Sequence, residues 1–528
     1  MRQTTKKSIV RTKKIRPNKK YVFIFILITI IILSAFLIKM AWSNPQTRWL
    51  IADLFPREDK NKLTIAPAIA VTSSFPNAVA TTINDASWLD QTTVAAVYQP
   101  KTAAEVTNII LYAQKLHKQI AISGIRHSMG GQAFLRDGIV LDMTKMDSVT
   151  YNSDKTVTVG PGATWQQVQN VLDGYGRSVA VMQDSNIFTV GGSVSVNVHG
   201  KDPHYGSLIA TINYLRVINP EGQEITVSRT QHPDLFKTIV GGYGLFGVIT
   251  QINLNTTEDA SYQFSMKELN TKDLLNVLNA NAADKTTGLM EVHLSVDRSN
   301  LFTKALLYRY SETPAPAIAP VSNTTGENNI WLRKAVFRLS ETSDFGKYVR
   351  WEAEKYLTPL VEQKIVTRNT AMAVPVRFLE HTSSPTTDVL QEYFIPKDQF
   401  YNFLNYYKKV IIASNINLEN VTIRKVNKDT ESKLSYATDD MYAFVVYYSV
   451  DRDQDSPLSS VTNQMMTYLN SIDGKFYLCY NADYSYSQLQ QMYPEVISFI
   501  QLKQHYDPQT LFSSNWYERM EKSQISPL

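Results

Sequence analysis

Cysteine is almost absent: Cys479 is the single one in 528 residues. No intramolecular disulfide is possible, so burial, not a cross-linked framework, has to hold the fold. Beside Leu478 this thiol reads as a small apolar filler, not a nucleophile. A P-loop is missing as well, and so is the Rossmann dinucleotide fingerprint in a strand–helix setting. Internal repeats and low-complexity tracts are missing too. No metal-ligating set is assigned.

A general basic excess is also absent. The formal charge is +5, but residues 1–20 hold nine Lys or Arg and no acid. From Tyr21 onward 44 basic residues face 48 acidic ones, which leaves the body at −4. A body of that sign carries no polyanion-binding signature, so nucleic acid is not an expected partner. Content that is 44% hydrophobic and 11% aromatic suits a globular enzyme with a large core.

What is present begins with Tyr21–Ile38, 18 residues without a charge. With Met40, Ala41 and Trp42 beyond a snorkelling Lys39, the run is just long enough to cross a bilayer at about 1.5 Å per residue. Tyr21 and Trp42 sit where interfacial aromatics belong. The basic flank predicts a cytoplasmic N-terminus and a body on the other face, periplasmic or outer. A cleaved signal peptide is the alternative, although no clear A-x-A site follows. Residues 43–84, with Pro45, Pro56, Pro67 and Pro76, read as a stalk.

The body alternates strands and helices, an α+β or α/β pattern. Thr102–His117 is expected to be a helix with Thr102 as its N-cap, because Val106, Ile109, Ile110 and Ala113 recur at helical spacing. Trp165–Leu172, Phe400–Ala413 and Ser487–His505 are further helices. Ile139–Met143, Thr156–Val159, Leu215–Asn219, Glu224–Val227, Val248–Leu254 and Met441–Val450 read as strands.

Four small-residue clusters border these elements. They are Ser123-Gly124-Ile125-Arg126-His127-Ser128-Met129-Gly130-Gly131-Gln132, Pro161-Gly162-Ala163-Thr164, Thr189-Val190-Gly191-Gly192-Ser193-Val194-Ser195, and Gly241 to Ile249. Each alone is a tight turn. Together they predict a backbone-lined groove for one extended, phosphate-bearing ligand.

The order and wording of these clusters resemble the vanillyl-alcohol oxidase family, whose cofactor module is the PCMH-type FAD-binding domain. The resemblance covers residues 88–255 well, and the tail Tyr506–Asn515 is similar to the family's closing motif. It implies an α+β chain: an FAD domain over 85–257, a substrate or cap domain over 258–485, and a C-terminal segment over 486–528 that returns to the FAD domain. Ahead of these would lie the 1–20 tail, the 21–42 membrane helix and the 43–84 stalk. It also implies FAD, with Ser123, Gly124, Ile125, Arg126, Ser128, Gly130 and Gln132 around the pyrophosphate. Gly162, Thr189, Gly191, Gly192 and Ser195 would line the groove. Gly247, Val248 and Ile249 would face the adenine side, and Asn515 belongs to the closing motif. His127 matches the histidine that some members join to the flavin 8α-methyl. A second, cysteinyl link is not expected.

Asn197-Val198-His199-Gly200-Lys201 resembles the decaprenylphosphoryl-ribose oxidases, which implies that His199 and Lys201 face a sugar near the flavin. Leu390–Pro396 would bring Glu392 into the site. Val421–Val426 also resembles the sugar, polyol and aldonolactone oxidases, where a basic residue stabilises the reduced flavin. Arg424 takes that role here, with Lys425 as alternate on the opposite strand face. Asp473-Gly474-Lys475-Phe476-Tyr477 stands where those oxidases have His-Trp-Gly-Lys. The implied reaction moves hydride from a carbinol carbon of a sugar, polyol, lactone or lipid-linked sugar to flavin N5, with His199 or Glu392 as base. The electron acceptor is left open. A flavin reductase of a lipid or sterol double bond, and a non-catalytic flavin-fold binding protein, are the rival expectations.

Overall fold

The computed structural model describes residues 80–317, 337–341, 343–362, 364–374, 386–452, 457–481 and 484–525. The expected tail 1–20, membrane run 21–42 and nearly all of the stalk lie outside them. Among the described residues no helix is long and apolar enough to cross a membrane.

Three short strands, Ala96–Tyr98, Ile139–Asp142 and Ile120–Ser123, form a parallel sheet. Parallel strands need both faces covered. Alternate side chains supply this: Tyr98, Ile120 and Leu141 pack under the Ala103–Lys115 helix, while Val97, Ala121 and Val140 pack with Phe134 and Leu135. The helix starts where Thr102 accepts from the Glu105 N–H, as the sequence predicts. Late in the chain, Phe512 adds a parallel bridge to Ile120. Ile120 N–H donates to the Leu511 carbonyl at 2.7 Å, and Ser513 N–H to the Ile120 carbonyl at 2.9 Å.

The second sheet is antiparallel and runs Glu224–Ser228, Ile212–Ile218, Val248–Glu258, Thr156–Val159, Val149–Tyr151, with Arg177–Val179 beside the end of the long third strand. The Trp165–Asp173 helix covers it and opens on a capping box between Thr164 and Gln167.

The third sheet has eight strands, all paired antiparallel. Its centre is made of Thr287–Leu294, Asn417–Val426, Met441–Asp451 and Thr386–Pro396. One face, with Tyr393, Phe444 and Tyr448, packs on the helices Phe400–Ser414 and Leu458–Ser471. The other face points into a cavity.

Two local expectations change. The single helix expected over Ser487–His505 is two, Tyr486–Met492 and Val496–Tyr506. Pro494 lies between them, where it cannot donate to a continuing helix. The third small-residue cluster is not a turn: Val190–Val196 is a helix whose Thr189 N-cap residue is extended.

Candidate active site

The cavity has a volume of about 450 Å³. One wall comes from the first two sheets. Ser123, Gly124, Ile125, Arg126, His127 and Ser128 line it, joined by Gln132, Thr189, Gly191, Gly192, Ser195, Gly247 and Ile249. The chain leaves the Ile120–Ser123 strand here and runs against Thr189, the N-cap of the Val190–Val196 helix. The approach is close: a Cβ on Gly124 would sit 2.1 Å from Thr189 Oγ1. Gln132 ties the loop down from behind, accepting from Gly130 N–H at 3.0 Å and donating to the Leu478 carbonyl at 2.6 Å.

This wall is rich in donors without acceptors. No hydrogen bond among the described residues takes up the N–H groups of Ile125, Arg126, His127 or Ser128. Arg126 adopts φ 58°, a conformation disfavoured for a side chain of its kind. Arg126 Nη1 and Ser123 Oγ are buried with no partner among the described residues. Unpaired buried donors are costly, so the loop fits an anionic ligand that accepts from them. The His127 and Phe188 rings meet edge to face, with 4.8 Å between centroids. Burial lowers its pKa to about 4, so the imidazole is neutral.

Five expected site residues lie elsewhere. Gly162 packs against the Met143 carbonyl, 2.0 Å from where its Cβ would be, and is needed for that contact. Gly130 sits behind the loop against Gln132 and the Tyr480 carbonyl. Val248 is in the apolar cluster with Ile218, since alternation turns it away from the face of Gly247 and Ile249. Asn515 accepts from Arg136 N–H at 3.0 Å and donates to Thr92 Oγ1 at 2.8 Å, a tether between the two ends of the described body. Lys201 does not line the cavity; it stands behind the wall, bonded to Asp184 at 2.9 Å and Glu291 at 2.8 Å.

The opposite wall is the open face of the eight-stranded sheet. Asp388, Leu390 and Glu392 alternate along one strand, Val445 and Tyr447 along the next, then Asn420, Thr422 and Arg424, then Glu291 and His293. Its charges are paired. Arg424 bonds Asp184 and, at 3.2 Å, Glu291. Burial opposes the charges of Lys201 and Arg424, but the two carboxylates outweigh it and raise both pKa values, so both cations persist. Lys425 points the other way, towards Asn427 and Asp440. Tyr447 donates to Asp388 at 2.5 Å.

The two walls meet at His199 and Glu392. His199 is 4% exposed and Glu392 2%, and His199 Nε2 is bonded to Glu392 Oε1. A carboxylate only accepts, so Nε2–H is the donor, and in the neutral ring Nδ1 is the nitrogen with the lone pair. That Nδ1 is buried with no partner among the described residues. Phe394, Tyr436 and Tyr477 ring the imidazole with centroids 5.4, 6.0 and 6.5 Å away.

Asp184, Glu291, His293, Asp388, Tyr447, Tyr477 and Tyr480 also line the cavity and were not singled out in the sequence. The signal available was period-2 alternation around Glu392 and Arg424; the cross-strand partners had none. Cys479 lines the cavity too, and burial holds its thiol well above its usual pKa, hence protonated. Lys475 is absent from the site: it reaches the Met492 carbonyl and lies 5.4 Å from the Tyr493 ring centroid.

Residues 94–228, which build the donor-rich wall, match the FAD binding domain family, and residues 302–520, which hold Glu392 and Arg424, match the D-arabinono-1,4-lactone oxidase family. Among curated proteins the chain is 28% identical to the FAD-dependent monooxygenase macF of Penicillium terrestre over 206 residues, 38% of this chain and 40% of that protein. It is 30% identical to cytokinin dehydrogenase 2 of Arabidopsis thaliana over 186 residues, 34% of this chain and 37% of the relative. It thus spans about two fifths of the length of the curated relatives it matches. FAD is the cofactor, and the open donors of the Ser123–Ser128 loop are of the kind that would hold its pyrophosphate. The chain belongs to the FAD-dependent oxidoreductases that carry a PCMH-type FAD-binding domain.

Proposed function

We propose that the protein oxidises a carbinol carbon of an uncharged hydroxylated substrate, a sugar, polyol or lactone, free or as the head of a lipid-linked sugar. One observation carries this: an imidazole held by a carboxylate, with a buried unpartnered Nδ1, where the cofactor wall meets the polar sheet wall. Glu392 fixes the His199 ring and its tautomer. Nδ1 then accepts the substrate hydroxyl proton, and Glu392 balances the imidazolium. Bound FAD supplies the hydride acceptor. Holding the carbon in line contributes more than any single group. The ring of Phe394, Tyr436 and Tyr477 excludes water around the imidazole.

The charge balance favours an uncharged substrate. Lys201 and Arg424 share Asp184 and Glu291, and Arg338 is bonded to Glu341 and Asp388. A phosphate on the substrate would compete with these carboxylates. Arg424 remains the group for negative charge on the reduced cofactor, with its effect reduced by its two partners. Lys201 acts through Asp184 and Glu291. A reductase of a lipid double bond would instead need reduction of the cofactor by NADPH, which is the discriminating assay.

Two further parts belong to this reading. The neutral His127 is suited to be the nucleophile that links FAD covalently. The uncharged run Tyr21–Ile38 anchors the enzyme, with the N-terminus cytoplasmic and the catalytic body outside. The test is the yellow purified enzyme mixed anaerobically with D-arabinono-1,4-lactone, D-arabinose and ribitol. Bleaching by any of them supports the reaction; bleaching by NADPH alone replaces it with the reductase. After acid precipitation, colour in the pellet that moves to the supernatant in His127→Ala supports the link.

A further inference from the structure

Two imidazole–carboxylate pairs face the cavity, and the reaction above uses one. The second joins His293, on the Thr287–Leu294 strand, to Glu354, on the helix Asp344–Val361. His293 Nδ1 donates to a Glu354 oxygen, and Tyr308 donates its hydroxyl to the same oxygen at 2.6 Å. The Tyr308 ring lies against the imidazole, with centroids 4.7 Å apart. These contacts fix the ring and leave Nε2 as its remaining polar atom. Glu291 Oε1 stands 4.0 Å from it, too far for a hydrogen bond.

The charged and titratable groups around the ring are Glu354, Glu291, Lys201 and Tyr308. Burial and Lys201 oppose a charge on His293, but Glu354 and Glu291 outweigh them and raise its pKa above the ordinary value. That direction favours the doubly protonated ring, in which Nε2 also carries a hydrogen. The surroundings are polar: Thr422 stands directly across from His293, and Asn420 donates to Thr422 Oγ1 at 2.9 Å. Thr422 is opposite Val445, and Val445 opposite Glu392. Three strand spacings, about 14 Å of sheet, thus separate the backbones that carry the two pairs.

We propose that His293, positioned by Glu354 and Tyr308, binds the substrate by donating its Nε2–H to an uncharged hydroxyl or carbonyl oxygen at the end of the cavity away from His199. The inference rests on the carbinol-oxidation reading and gives that site a second anchor. Because Glu354 balances the imidazolium, a neutral oxygen is the fitting acceptor, and a substrate that touches both pairs is longer than one that touches either.

The test uses the FAD-loaded protein, with D-arabinono-1,4-lactone and the longer uncharged sugar cellobiose as probes. Two signals are followed: perturbation of the bound-flavin spectrum, which reports binding, and anaerobic bleaching, which reports reaction. For at least one probe His293→Phe should need about tenfold more to half-saturate the perturbation, the size of one lost hydrogen bond. His293→Gln, which keeps a donor, should recover part of this and controls for folding. Wild-type binding should weaken as pH rises through the His293 pKa, and Glu354→Gln should move that limb to lower pH. Equal half-saturation in wild type and both variants overturns the inference and leaves the reaction standing. Perturbation that weakens in His293→Phe without bleaching in any protein supports the inference and removes the reaction. No perturbation of the wild type by either probe overturns both.

Discussion

The two walls of the cavity solve opposite problems. On the FAD-domain side, the Ile125–Ser128 N–H groups, Ser123 Oγ and Arg126 Nη1 are donors waiting for an acceptor. On the sheet side, Lys201, Arg424, Glu291 and Asp184 already satisfy one another. The first wall holds its donors open; in the second the cations and carboxylates are already paired. On the proposed reading cofactor affinity resides in the loop, while the sheet would offer a substrate a preset field that does not reorganise on binding.

Disconnecting the walls at their junction should have the largest effect. His199→Ala should keep its FAD absorbance and lose about 10²–10⁴-fold in the rate of anaerobic flavin bleaching, measured by stopped flow. Glu392→Gln should fall in the same direction and less far, because it retains an acceptor for Nε2–H. Loss of FAD in either would place the dyad in cofactor retention and blur the contrast between walls.

The sheet wall is probed by Glu291→Gln. It leaves Lys201 and Arg424 to share Asp184, and breaking such a buried arrangement costs about 3 kcal/mol in urea denaturation. No change would mean that the pairing is not what stiffens this wall.

A smaller, pH-dependent effect belongs to the loop wall. Asp85 is 1% exposed, and burial raises its pKa to about 7 despite hydrogen bonds from Ser87. The folded protein holds this proton where the unfolded chain has released it. Stability should therefore decline as pH rises from about 4 to about 7, and Asp85→Asn should flatten that decline by on the order of 2 kcal/mol. The smallest effect is behind the loop wall, where Thr164 bridges Thr189: Thr164→Ala removes a capping box and should cost about 1 kcal/mol in thermal unfolding.

What could be read from the sequence follows the range of the interactions. Thr102 acts three residues away on Glu105, so local chemistry revealed its cap, and the Ser123–Ser128 loop was legible from its own small residues, whereas the Thr164 cap emerged only from the structure. Alternation placed Arg424 and Lys425 on opposite faces, as found. Lys201 was assigned to the substrate by the resemblance of Asn197–Lys201, and no local pattern showed its partners, because Asp184 lies beyond the Val190–Val196 helix and Glu291 on a later strand. His293 and Asp388 became site residues only through the pairing of four strands spread over residues 287–451. Asn515 carried a motif that resembles a cofactor contact, but its side chain spans 423 positions to reach Thr92.

The bridge between Phe512 and Ile120 also bears on the order of events during synthesis. The strand that feeds the cofactor loop is translated early, and its edge partner emerges almost 400 residues later. Contacts of such separation form late and slowly. A nascent chain released after residue 257 would carry all four small-residue clusters and still leave Ile120 without its neighbour. The cofactor cleft is therefore the part of this enzyme finished last, and truncation before Leu511 should yield a colourless, protease-sensitive product even though every FAD-domain cluster has been made.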